Sequence, residues 1–123
     1  MFGFFKVNEE LFHKELLSDN FDANKIQKYI DKGIDLNKKD EKEKTLLFYL
    51  CAKKKLDAIR LLIKNGVNLY IEDNFGRTVL DEACLRSDGV MARFLLENGF
   101  DINRKNSTDR TILQDVALDG NYK

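Results

Sequence analysis

The chain has 123 residues, 43% hydrophobic and 34% charged, with 21 basic side chains against 21 acidic ones and two cysteines. That length fits one domain and that composition fills a core, while the balanced charge creates no global field to draw the protein toward nucleic acid or anionic lipid. No stretch approaches the roughly 18 apolar residues of a membrane span, so no transmembrane segment is expected.

The first residues, Met1-Phe2-Gly3-Phe4-Phe5-Lys6, put the apolar side chains ahead of the first charge. They lack the roughly 7–15-residue apolar stretch of a secretory signal. Taken as the natural start, they predict a cytoplasmic protein. Phe2, Phe4, Phe5 and Val7 are expected to pack across the open end of the first helix pair, the alternative being contact with a partner or a membrane surface, for which one short apolar run without a basic amphipathic helix is a poor anchor. Leu11 to Gly33 reads as a capping pair of helices with no hairpin ahead of it.

From Gly33 onward the chain repeats itself every 33 residues: Gly33/Gly66/Gly99, Thr45/Thr78/Thr111 and Leu47/Leu80/Leu113. Softer matches share the period, at Asp35/Asn68/Asp101, Leu36/Leu69/Ile102 and Ile30/Ile63/Leu96. Such a period marks one supersecondary unit stacked several times, each copy burying its apolar face against the next. The clearest copy runs from Asp40 to Asp73. Thr45 is placed to cap a helix, its hydroxyl accepting from the orphan amides of the first turn. Leu46, Leu47, Leu50 and Cys51 form a helical stripe, and Lys53-Lys54-Lys55 a polar break. Leu56, Ile59, Leu62 and Ile63 form a second stripe that ends at Asn65-Gly66, where Gly66 suits a left-handed helix end. Asp73-Asn74-Phe75-Gly76 reads as a turn, with Asp73 bonding forward to backbone and Gly76 free to take positive φ. Each unit is thus a helix, a short loop, a second helix and a projecting hairpin. Cys51 and Cys84 are also 33 apart. They occupy one position in successive units, where helices pack about 8–10 Å apart, beyond the roughly 7 Å that a disulfide tolerates. Two reduced, buried thiols are expected.

Gly76-Arg77-Thr78-Val79-Leu80-Asp81-Glu82-Ala83-Cys84, followed by Ala92 through Asp101, resembles the ankyrin repeat. Lys44-Thr45-Leu46-Leu47 with Ile59 through Asn68 resembles it equally, and Thr111-Ile112-Leu113 opens another copy that stops at Gly120-Asn121-Tyr122-Lys123. The resemblance covers about residues 8–120. It implies an all-α solenoid of stacked helix-turn-helix units with projecting β-hairpin loops, in one domain. Its parts are an N-terminal segment (1–10), a capping repeat (11–39), two repeats (40–72 and 73–105) and a partial C-terminal repeat (106–123). Several positions depart from the family's pattern. Its proline after Thr is replaced by Leu46, Val79 and Ile112, and its histidine by Phe48, Asp81 and Gln114. Its hairpin glycine survives only as Gly76, with Glu43 and Asp109 at the other two sites. Because those sites call for positive φ, the first and third hairpins are expected to be reshaped or looser.

In this family, the resemblance implies, ligands meet the hairpin tips and the exposed side of the first helix of each unit. Carried onto this chain, the tips are Lys39, Glu41, Lys42 and Lys44, then Glu72, Asn74, Phe75 and Arg77, then Lys105, Ser107, Thr108 and Arg110. The helix positions are Tyr49, Ala52 and Lys53, then Glu82, Leu85 and Arg86, then Asp115, Leu118 and Asp119. Tyr70, Phe75, Arg77, Leu85 and Arg86 concentrate aromatic, Arg and aliphatic groups on the central unit, at positions expected to be open, and such groups dominate binding hot spots. The expected partner site is therefore Tyr49, Tyr70, Glu72, Asn74, Phe75, Arg77, Leu85, Arg86, Lys105 and Arg110. An alternative reading gives Lys39, Lys42, Lys44 and Lys53 an anionic ligand, phosphate or nucleic acid, although Asp40, Glu41 and Glu43 cut the local field. Ile112, Leu113, Val116 and Ala117 form the stripe of a closing helix, with Gln114, Asp115 and Asp119 turned outward as a polar cap. A monomer is expected.

Catalytic patterns are missing. His13, the only histidine, lies in the first capping helix, away from Cys51 and Cys84, and forms no nucleophile–base pair or zinc-type spacing. Asp35, Asp40, Asp73 and Asp101 recur with the hairpins as turn builders, and Gly66 and Gly76 belong to no phosphate-cradling loop. A non-catalytic protein-binding module without cofactor or metal is expected, either adaptor or stoichiometric inhibitor.

Overall fold

A computed structural model describes residues 9–111 and Gln114. The expectations for Phe2, Phe4, Phe5 and Val7, and for Ile112, Leu113, Asp115, Val116, Ala117, Leu118 and Asp119, lie outside the described residues. Among the described residues six helices follow one another: α1 Glu9–Leu17, α2 Ala23–Asp31, α3 Leu46–Ala52, α4 Leu56–Lys64, α5 Val79–Leu85 and α6 Gly89–Glu97. Among the described residues there is no strand. Helix α1 packs on α2, α3 on α4 and α5 on α6, while α3 meets α5 across the boundary between units.

The stripes read from the sequence are the faces that stack. In α4, Ala58, Ile59 and Leu62 are buried while Asp57, Arg60 and Lys64 face water. In α3, Leu46, Leu47, Phe48, Leu50 and Cys51 are buried. One continuous core results, centred on Leu16, Ile26, Leu47, Leu50, Ile59, Leu62, Leu80, Met91 and Leu95. Each fully buried Leu or Ile contributes about 1.5–3 kcal/mol, which is the main force holding the units together.

The helix ends repeat with the period too. After α3, the Lys55 amide donates to the Leu50 carbonyl and the Lys54 amide to that of Cys51. Asp88 and Ser87 make the same pair of bonds to Ala83 and Cys84 after α5. This is the Schellman arrangement, which needs a left-handed residue, and Lys54 (φ 59°) and Ser87 (φ 56°) supply it. Gly66 plays that part after α4, with φ 80°. The N-termini differ more than expected. Thr78 and Asp81 form a reciprocal capping box on α5, and Thr111 and Gln114 exchange the corresponding bonds. Thr45 sits at the N-cap of α3 but makes no side-chain cap bond. The residue three further on is Phe48, which has no acceptor to return.

The first and third hairpin loops are not reshaped. Glu43 and Asp109 both take φ 62°, beside 76° for Gly76. What fixes the geometry is the residue at the start of each loop. Asp40 Oδ1 accepts from the amides of Lys42 and Lys44, Asp73 Oδ1 from those of Phe75 and Arg77, and Asn106 Oδ1 from those of Thr108 and Arg110. A backbone bond from the Asp40, Asp73 or Asn106 amide to the carbonyl of Lys44, Arg77 or Arg110 closes each loop at 2.8–2.9 Å. This network outweighs the roughly 1–2 kcal/mol cost of a left-handed non-glycine residue.

Candidate partner-binding face

The loops and the open sides of α3 and α5 carry the expected contact residues. At the second tip Asn74 and Phe75 are exposed, Phe75 at 73%. The half-buried Arg77 holds its guanidinium 5.6 Å from the Phe75 ring centroid. Ring and cation form a unit over a backbone that Asp73 has already fixed. Glu72 is half-buried and reaches the third loop, where its carboxylate accepts from the Ser107 amide (3.0 Å) and hydroxyl (2.6 Å). Lys105 and Arg110 are exposed on that loop, Lys105 lying 3.7 Å from Asp109.

Tyr70 departs from expectation. It is half-buried rather than open, tilted against Phe100 at 4.7 Å with the Arg104 guanidinium 4.1 Å from its ring. Its hydroxyl accepts from the Asp101 amide at 3.0 Å. An aromatic ring beside Phe100 gains more from the joint between two units than from water, so Tyr70 belongs to the stack.

On the inner helices Tyr49 is 37% exposed and donates its hydroxyl to Asp40 Oδ2. That bond holds the Asp40 carboxyl below the usual carboxylate range, aided by the Lys44 and Lys42 amides, and raises the Tyr49 phenol. Thirty-three residues on, Glu82 stands in place of Tyr49. The matching oxygen, Asp73 Oδ2, is buried without a hydrogen-bond partner among the described residues. Leu85, like Arg77, is half-buried rather than open as expected, and Arg86 is exposed with its Nε 3.3 Å from Glu82. Between α3 and α5 lies a groove of about 120 Å³. Phe48, Cys51, Ala52, Ala83 and Met91 line its apolar part, and Lys44, Tyr49, Glu82, Arg86 and Asp88 its polar part. Sequence reasoning passed over Ala83, Asp88 and Met91, whose signal was side-chain size at the repeat positions.

The lysines do not converge. Lys39 and Lys42 are exposed on the first loop, and Lys44 is half-buried with its ammonium 5.9 Å from the Phe48 ring centroid. Lys53 lies at the other end of α3, a helix of seven residues and hence about 10 Å long at a rise of about 1.5 Å per residue. Nearby Lys38 is engaged with Glu9 at 2.7 Å.

Cys51 and Cys84 are both reduced thiols, Cys51 buried and Cys84 only half-buried, less enclosed than expected. Burial, with Asp88 nearby, pushes the Cys51 thiol up to about 12, which keeps it a neutral apolar group. His13 is exposed on α1 with its ring 5.9 Å from Phe12. Among the described residues no cluster of His, Cys, Asp and Glu is arranged to hold a metal ion, and no helix is long and apolar enough to cross a membrane.

No curated protein matches the chain. A family model for ankyrin repeats, in three copies, matches residues 14–106. That range takes in α2 to α6 and the last turn of α1, their shared end geometry and the first two loops. Three helix pairs on one period, each closed by the same loop, agree with that match, and the chain belongs to the ankyrin-repeat family.

Proposed function

We propose that this chain is a non-catalytic module that binds a protein partner across its loop tips and the open sides of α3 and α5. Ankyrin repeats are generally protein–protein interaction modules, and the observation that carries the reading here is Phe75. A phenylalanine at 73% exposure contributes little to its own fold, yet it stands at the middle tip with the Arg77 guanidinium 5.6 Å from its ring and its backbone amide bonded to Asp73. Fixed aromatic and Arg groups supply most of the energy in protein interfaces, and loops already held by internal bonds lose little freedom on binding. Phe75, Asn74, Arg77, Tyr49, Leu85 and Arg86 form the centre of the contact, with Glu72, Lys105 and Arg110 at the third loop. Tyr70 acts from beneath, by seating the second loop on the third. The units bind as 11–39, 40–72, 73–105 and 106–123, and three of them accommodate an interface near the usual ~800 Å² per side. The chain acts as a monomer, as adaptor or as stoichiometric inhibitor, by covering a partner's surface. Two reduced cysteines favour the cytoplasm, where thiols stay reduced.

Capture of the partner from the native source, identified by mass spectrometry and repeated with Phe75→Ala, tests this. The substitution is expected to weaken binding by about 2 kcal/mol, close to thirtyfold, at an unchanged melting temperature. Undiminished capture would remove Phe75 from the contact. The competing reading, an anionic ligand or nucleic acid on Lys39, Lys42, Lys44 and Lys53, has less support because the length of α3 separates Lys53 from the rest. It requires affinity to fall steeply with salt.

A further inference from the structure

Each unit of the stack offers the same set of groups to the unit after it. Gln27 exchanges amide bonds with Asn65, and Asn37 Oδ1 accepts from the Asn68 amide at 2.8 Å. One period later Arg60 holds its guanidinium 5.2 Å from the Phe94 ring centroid, and the Tyr70 hydroxyl accepts from the Asp101 amide at 3.0 Å. The apolar members of the set are covered. Ile26 and Ile59 are fully buried, and Leu36 and Leu69 are only 9% and 8% exposed.

The third unit repeats this set without a recipient. On the 33-residue period Arg93 follows Gln27 and Arg60, and Asn103 follows Asn37 and Tyr70. Both are exposed, and neither side chain bonds to a described residue. Ala92 is half-buried at the place of Ile26 and Ile59, Leu96 is 38% exposed, and Ile102 is 46% exposed at the place of Leu36 and Leu69. The end of a stack normally turns a polar face outward. This end keeps the docking set of the inner units. Thr111 and Gln114 repeat the bonds of Thr78 and Asp81 and so mark the place of a first helix, on the α5 side. The place beside α6 belongs to a second helix. What fits there is set by α6 itself, which brings an aromatic ring to a guanidinium and a main-chain amide just past its left-handed glycine, Gly99. A second copy stacked by its first unit does not fit. Lys28 and Lys32 stand where α6 has Phe94 and Asn98, both lysines are exposed, and they would meet Arg93 with like charge.

We propose that Ala92, Arg93, Leu96, Ile102 and Asn103 form a second docking surface, apart from the loop tips, for an amphipathic helix of a partner protein. An aromatic side chain of that helix lies over Arg93, and the amide after its closing glycine bonds to Asn103 Oδ1.

The probe is an acetylated and amidated peptide with the sequence of residues 88–103, carrying Arg93→Lys so that a lactam to Glu97 holds it helical. Titrated onto the ¹⁵N-labelled full chain, it is expected to give saturable shifts at the amides of Leu96, Ile102 and Asn103 and none at Asn74 and Phe75. Ile102→Asp in the full chain changes an exposed side chain, so the melting temperature should hold. It is expected to weaken binding at least about tenfold, on the scale of missing methylenes in an apolar site. Phe94→Ala in the peptide should weaken binding to the native chain but make no difference to a chain carrying Arg93→Ala, a coupling that general stickiness would not show. Phe75→Ala should leave peptide binding as it was. No saturable shifts at millimolar peptide, or shifts confined to the loop tips, would overturn the assignment. So would binding indifferent to Ile102→Asp, a Phe94 effect that survives Arg93→Ala, or sensitivity to Phe75→Ala. A dimer of the chain alone that Ile102→Asp dissolves would give the face to a second copy and sink the partner helix.

Discussion

Asp73 shows what one missing donor does. Its Oδ1 fixes the second loop through two amides, but its Oδ2 is buried and unbonded, whereas the same oxygen of Asp40 receives the Tyr49 hydroxyl. A buried acceptor left without a donor costs about 1–3 kcal/mol. Glu82→Tyr restores the first unit's arrangement in the second, at the loss of an exposed pair with Arg86 worth about 0.3–0.5 kcal/mol. A net gain of about 1 kcal/mol is expected, read as a higher urea midpoint at unchanged m-value. An unchanged midpoint would mean that Asp73 Oδ2 already has a partner in solution. The left-handed residues make a paired test. Gly76→Ala, whose new Cβ would meet only Glu72 Oε1 at 3.7 Å, is expected to cost about 1 kcal/mol from its φ alone. Glu43→Gly should gain something under 1 kcal/mol, because relief of strain outweighs the extra freedom of the unfolded chain. Opposite signs from the two substitutions are the outcome to look for in chemical denaturation. The sequence made Gly76 legible and left Glu43 misjudged for one reason. Glycine is a visible sign of positive φ, but the force imposing it is the side chain of residue 40, three positions earlier.

At the scale of the helix, periodicity carried nearly everything. Leu46, Leu47, Leu50 and Cys51 lie on the buried face of α3, and Ala58, Ile59 and Leu62 on that of α4, because a 3.6-residue turn leaves those residues no other side. Helix ends were less legible, since they depend on a second residue. Thr78 caps α5 because Asp81 answers it, while Thr45 heads α3 with Phe48 in the answering position. Thr78→Ala is therefore expected to cost about 1–2 kcal/mol, with amide exchange speeding first at Val79 to Asp81. Slower or unchanged exchange there would show that packing, and not the cap, sets the start of α5. The Lys53-Lys54-Lys55 run, read as a polar break, contains the left-handed Lys54 that closes α3. Nothing in a lysine announces that conformation. Only the bonds to Leu50 and Cys51 do.

Across the whole molecule, adjacent units are pinned by polar bonds as well as by the core. Gln27 and Asn65 exchange amide bonds, the Asn68 amide donates to Asn37 Oδ1, the Asp101 amide to the Tyr70 hydroxyl, and Ser107 to Glu72. In a stack where each unit touches only its neighbours, such links set how far a local opening spreads. Glu72→Ala is expected to raise hydrogen exchange at Ser107, Thr108 and Arg110 while leaving α1 and α2 unaffected. Equal loosening throughout would show that the loops are not separate from the global unfolding unit. The site was legible in part for the same structural reason. Phe75 and Arg77 announce themselves by type at a turn. The groove is lined from α3 and α5 together, with Ala52 and Ala83, 31 apart in sequence, among its residues, a grouping that no single short window of sequence contains.

The loop scaffold separates shape from message. Asp40 and Asp73 grip backbone amides from inside, so the turn rests on main-chain donors and not on the side chains at residues 41, 42, 74 and 75, where only proline at 42 or 75 would remove a donor. New side chains can be written at those four places, by evolution or by hand, and the scroll on which they are inscribed will roll up as before.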